Sequence, residues 1–270
     1  MGLLCSLLKT SLAPKAKLHK ILLYCGLAIL FIGLGSWWIV AQISLRAQIV
    51  RDDPDQILHN PLLAQTAINT GRKVYNEQCA SCHGPKAQGD TTIGAPNLAD
   101  HDFLYGSGTV AEIEQIVLYG IRSGDSRGWN LASMPAFGTA NPYAGYKINS
   151  LMPSQIDDVA AYIRHISHQA ADPAAVERGR AQFKTAGCWD CHGPDGGGDT
   201  SIGAPNLTDK IWLYGDGSID AIKTTITYGR HGEMPAFTGR ITPFQVRSVS
   251  VYIASLSQAS QPEKNNARRP

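Results

Sequence analysis

The sequence predicts an all-α chain: one N-terminal transmembrane helix followed by two tandem helical domains. Three observations carry this reading. Ile21 to Leu45 form an uncharged run of 25 residues. The pattern Cys-x-x-Cys-His occurs at Cys79–His83 and again 109 residues later at Cys188–His192. The sequence around each motif is one unit written twice, with GDTTIGAPNLAD recurring as GDTSIGAPNLTD and Leu104-Tyr105-Gly106 as Leu213-Tyr214-Gly215 at the same offset.

The 270 residues exceed one ordinary domain, and the net charge of +2 is too small to imply a polyanion, so nucleic acid is excluded as a partner. The run 21–45 is long enough to cross a bilayer, which needs about 20 apolar residues, and too long for a cleaved signal peptide. Lys9, Lys15, Lys17 and Lys20 precede it, so residues 1–20 are expected in the cytoplasm and the rest of the chain beyond the span on the outer face, with Trp37 and Trp38 toward the outer interface. Cys5 and Cys25 belong to no motif. Residues 46–65 are polar and interrupted by Pro54 and Pro61, and read as a juxtamembrane tether.

Two domains are expected at 66–170 and 173–258, with a polar tail over 259–270. In each, a first helix runs up to the cysteines, Gly71 and Tyr75 matching Gly179 and Phe183. A middle helix opens at Thr109 or Ser218, with Glu112 able to complete a capping box on Thr109, and Gly120 or Gly229 suited to end it. The last helix begins at Pro153 or Pro243, its apolar residues (Ile156, Val159, Ile163 and Ile166 against Val246, Val249, Ile253 and Leu256) at three- and four-residue spacing. The first copy is longer by nine residues within 122–133 and ten more before its last helix.

Two cysteines three apart lie on one side of a helical turn, within reach of the vinyl groups of one porphyrin, and the histidine beside them can ligate its iron. A zinc site or a redox disulfide uses the same Cys-x-x-Cys. However, each motif carries its own His, and the two lie far beyond the spacing of paired zinc ligands. Two covalently attached haem c groups are the reading, so the domains are cytochrome c-type and a flat hydrophobe completes each small core. Cys79, Cys82, His83, Cys188, Cys191 and His192 hold them. Met134 and Met234 share the context Met-Pro-Ala-Phe, 51 and 42 residues after the respective His, and are the candidate sixth ligands. Met152 matches Thr242 and has no counterpart; His101, His165, His168 and His231 are read as surface or helix-end residues.

From YGIRSG followed by SMPAFG in the first domain, and from GAPNLTDKIWLYG, MPAFTGR and VYIASL in the second, the chain resembles the dihaem cytochrome c subunit of cbb3-type cytochrome c oxidases over roughly residues 66–257. The Asn-Pro-Leu-Pro-Arg-Trp-Trp element that members usually carry before the span is not seen. The resemblance implies haems of Cys79/Cys82/His83/Met134 and Cys188/Cys191/His192/Met234. They would pass single electrons from a periplasmic donor, such as a small cytochrome c, to the catalytic and monohaem subunits of a terminal oxidase in a bacterial inner membrane. Oxygen chemistry would belong to those subunits. The alternative is a free-standing, membrane-tethered dihaem carrier, or the cytochrome partner of another dehydrogenase or reductase.

Overall fold

The computed structural model describes residues 14–139 and 150–259. Cys5, residues 1–13, the second insertion of the first copy and nearly all of the polar tail lie outside them. Among the described residues the chain is helical, with only isolated β-bridges.

Helix α1 spans Pro14–Arg51 and contains a candidate membrane span, Leu22–Arg51. Large apolar side chains all round it, among them Leu22, Ile29, Phe31, Trp37 and Val40, are exposed. An exposed surface of that kind suits lipid rather than water.

The expected tether at 46–65 is instead folded. Helix α1 continues to Arg51, a 3₁₀ turn follows at Pro54–His59, and α2 begins at Pro61. Each proline starts an element instead of merely breaking one, because its missing N–H falls where a helix leaves that group unpaired. Asp53 caps the turn at Asp55 N (3.0 Å), and Asn60 caps α2 at Leu62 N and Leu63 N (3.1 and 3.2 Å). Ile49 and Ile57 are fully buried, so this stretch belongs to a core.

Beyond it come α2 (Pro61–Gln78), the single turn α3 (Ala80–His83), α4 (Val110–Tyr119), α5 (Pro153–Ile166), α6 (Pro173–Thr185), the turn α7 (Trp189–His192), α8 (Ile219–Tyr228) and α9 (Pro243–Ala259). Thr109 and Glu112 form the capping box on α4, and Ser218 caps α8.

The two sequence copies are not the two packing units. Helix α2 packs on α9, the last helix of the other copy, and α4 also packs on α9; α5 packs on α6 and α8. A first lobe is thus α2, α3, α4 and α9, and a second is α5, α6, α7 and α8. The expected segments 66–170 and 173–258 therefore do not each close a core alone: each lobe takes its last helix from the other repeat. The short connection from Ser167 to Asp172 makes α5 and α6 neighbours, as such links do between antiparallel helices.

The two exchanged contacts are built alike. Gly71 lets α2 approach the Ser248 carbonyl and Tyr252, while Gly179 lets α6 approach the Asp158 carbonyl and Tyr162. Edge-on ring pairs follow, Tyr75–Tyr252 at 5.6 Å and Tyr162–Phe183 at 5.3 Å.

Candidate haem sites

Each Cys-x-x-Cys-His closes one helical turn. His83 N donates to Cys79 O (3.0 Å) and His192 N to Cys188 O (3.0 Å), which puts both cysteines and the histidine on the same short helix. All four thiols are free. Burial pushes Cys79 and Cys188 up to about 11, so both are neutral thiols at physiological pH. Among the described residues no three His, Cys, Asp or Glu side chains converge as a metal shell.

The loop after each motif turns back onto its histidine. Asp90 and Ala95 exchange backbone hydrogen bonds (2.9 and 3.1 Å), as do Asp199 and Ala204 (2.8 and 3.0 Å). That turn sets the Pro96 carbonyl 3.0 Å from His83 Nδ1 and the Pro205 carbonyl 2.9 Å from His192 Nδ1. Each Nδ1–H donates to its carbonyl, which leaves Nε2 unprotonated for iron. Burial lowers both imidazole pKa values against these hydrogen bonds, and a neutral ring is the ligating form. Paired thiols, an oriented Nε2 and a neutral ring in a half-buried setting fit a covalently attached haem.

The two methionines lie on segments that cross between the copies. Met134 N donates to Arg230 O (3.0 Å) and Arg230 N to Met134 O (2.9 Å), after which Phe137 N bonds Ile226 O (3.0 Å) at the end of α8. Met234 and Ile121 exchange the equivalent pair (2.9 and 3.0 Å), and Phe237 N bonds Val117 O (3.0 Å) at the end of α4. Met134 packs against the second-lobe core, the same core that Cys188, Leu207 and Trp212 pack against. The structure therefore brings Met134 to the lobe of His192, and Met234 to the α4–α9 lobe of His83. This is the reverse of the grouping that the resemblance implies. A sequence offset cannot reveal it, because backbone pairing between Met134 and Arg230 is non-local.

Met152 is exposed at the start of α5, and His231 is paired with Glu233 at 3.4 Å. The first insertion folds over the end of α4: Arg127 pairs with Asp125 (2.9 Å) and lies over the Tyr119 ring, and Trp129 meets Tyr105 edge-on at 5.4 Å. The seam between the lobes is two-fold in character. Gly106 N donates to Thr200 O and Gly215 N to Thr91 O, both at 3.0 Å, while Tyr105 lies against Gly203 and Tyr214 against Gly94. Sequence reasoning missed Arg122, Arg230, Tyr105 and Tyr214 as site residues. The Leu-Tyr-Gly repeated at equal offset is the signal that marks the tyrosines.

The cytochrome c family model matches residues 68–167, and the family model described as cytochrome C oxidase, cbb3-type, subunit III matches residues 174–253. Among curated proteins, the chain is 39% identical over 217 residues to the cbb3-type cytochrome c oxidase subunit CcoP of Cereibacter sphaeroides, covering 80% of this chain and 70% of that one. It is 36% identical over 219 residues to the subunit FixP of Sinorhizobium medicae, with coverages of 80% and 70%. With CcoP of Rhodobacter capsulatus the figures are 39% over 217 residues, 77% and 69%. Two covalently bound haem c groups follow for this chain, each in a cytochrome c domain. With an apolar anchor, two haem sites and these relatives in hand, the chain belongs to the CcoP/FixP family, the subunit III family of cbb3-type cytochrome c oxidases.

Proposed function

We infer that the chain is the membrane-anchored electron-transfer subunit of a cbb3-type oxidase and that its haems are ligated crosswise, His83 with Met234 and His192 with Met134. The observation that carries this is the packing of Met134 in one core with Cys188, together with the mirrored pairing of Met234 to Ile121.

Haem c supplies a one-electron ferric/ferrous couple. The chain's residues do the rest. His83 and His192 offer Nε2, held by the Pro96 and Pro205 carbonyls. The Met134 and Met234 thioethers would serve as the second iron ligands and so favour a raised potential. Held by a histidine and a methionine each, the haems would offer no site to oxygen, so the chemistry on oxygen lies with the catalytic subunit, and electrons leave toward that subunit and its monohaem cytochrome partner. The donor is a small cytochrome c on the periplasmic side of a bacterial inner membrane. The four lysines before the span support that orientation.

Oxygen uptake by membranes supplied with a reduced soluble cytochrome c tests the reading. Met134→Ala and Met234→Ala should each slow uptake at least about tenfold, because opening either haem drops its potential. Purification of the chain in mild detergent should bring copper and high-spin haem with it. Normal uptake in membranes lacking the chain would replace the oxidase reading with a free-standing carrier.

A further inference from the structure

Two arginines at the seam between the lobes have only neutral partners. Arg122 donates from Nε to the Gly232 carbonyl (2.5 Å) and from Nη1 to the Tyr105 hydroxyl (2.9 Å) and the Ala132 carbonyl (2.8 Å). Arg230 donates from Nε and Nη2 to the Thr225 hydroxyl (3.1 and 2.7 Å), with its guanidinium 4.2 Å above the Tyr214 ring. Among the described residues neither forms an ion pair. Where a buried arginine has a structural task in this molecule, a carboxylate is supplied: Arg247 has Glu114.

Leaving two half-buried cations unbalanced costs free energy. Arg122 also holds a φ of +50°, a left-handed conformation that costs about 1–2 kcal/mol in a residue with a side chain. The two arginines sit one residue apart in the register of the repeat, Arg230 matching Ile121. Arg230 exchanges backbone hydrogen bonds with Met134, and Ile121, next to Arg122, does so with Met234. Each arginine thus lies on, or next to, a backbone segment paired with a candidate methionine ligand, and a haem brings carboxylates of its own. The guanidinium fork is matched to a carboxylate.

We propose that Arg122 and Arg230 anchor the haem propionates at this seam, Arg122 those of the haem on Cys79 and Cys82, Arg230 those of the haem on Cys188 and Cys191. The assignment rests on the crosswise reading. The arginines are positioning residues with an electrostatic consequence: a cation beside the macrocycle disfavours ferric iron and raises the potential.

Redox titration of the detergent-solubilised, full-length holoprotein, followed by visible absorption, tests it. Arg122→Gln and Arg230→Gln should each move one of the two haem waves and leave the other. The expected shift favours the ferric form about tenfold at fixed ambient potential, about 59 mV for a one-electron couple. Arg122→Lys and Arg230→Lys, which keep the charge, should restore at least about half of it. Unmoved waves in either Gln variant, or Lys variants shifted as far as Gln, overturn the proposal. If a Gln variant loses its haem, the haem stain of the Lys variant decides: a retained haem supports the proposal and a lost one overturns it. The sulfur-to-iron band reports ligation separately, so arginines with no electrostatic role would leave that band, and the functional reading, intact.

Discussion

At the scale of the residue, the methionines are where position in the chain and position in the molecule part company. Their shared Met-Pro-Ala-Phe context marks both as candidate ligands, and the exposed Met152 stands apart as expected of a residue without a counterpart. Which histidine each faces depends on hydrogen bonds to Arg230 and Ile121, more than ninety residues away in sequence, and no local pattern encodes those. Single-haem chains separate the alternatives. In a Cys188→Ala/Cys191→Ala chain, which keeps only the haem on Cys79 and Cys82, Met234→Ala should abolish the near-infrared sulfur-to-iron band, and Met134→Ala should leave it. The opposite result restores ligation within each repeat.

At the scale of the element, the starts of α4 and α8 were legible because capping is local: Thr109 with Glu112, and Ser218, sit where a short polar side chain satisfies free N–H groups. The folded stretch between Ile49 and His59 was not legible, because its partner is remote. Arg247 of α9 donates to the Ile49 and Asp52 carbonyls (both 2.9 Å) and pairs with Glu114 of α4. One buried guanidinium thereby ties the end of α1, α4 and α9 together. Glu114→Ala leaves that cation in the core with carbonyls alone. Breaking a buried pair by removing one partner costs about 3–5 kcal/mol, and the retained carbonyls put this case near the lower figure. Thermal unfolding of the holoprotein should show the loss, and the double variant Glu114→Ala/Arg247→Met should recover part of it. Equal stability of wild type and Glu114→Ala would mean the pair is solvated.

At the scale of the whole molecule, the exchange of α5 and α9 makes the two haem lobes interdependent. The first lobe needs Val246, Val249, Val251 and Ile253 of α9, all but fully buried, to complete the core that α2 and α4 begin. At about 1.5–3 kcal/mol for each such side chain, their loss is on the order of 6 kcal/mol or more, comparable to the entire net stability of a domain. Met234 would go with them. Tandem domains separated at Asp172 would each survive the cut; crosswise lobes would not. A fragment of residues 52–172 should therefore attach haem at Cys79 and Cys82 through its intact motif, yet show no sulfur-to-iron band and little cooperative unfolding. Supplying residues 173–259 as a separate chain in the same cells should restore both, because the second fragment carries α9 and Met234 and receives α5 in return. A 52–172 fragment that folds alone with a low-spin His/Met haem would show that α5 can take the place of α9, and that the lobes are exchanged by preference of the linker rather than by necessity of the core.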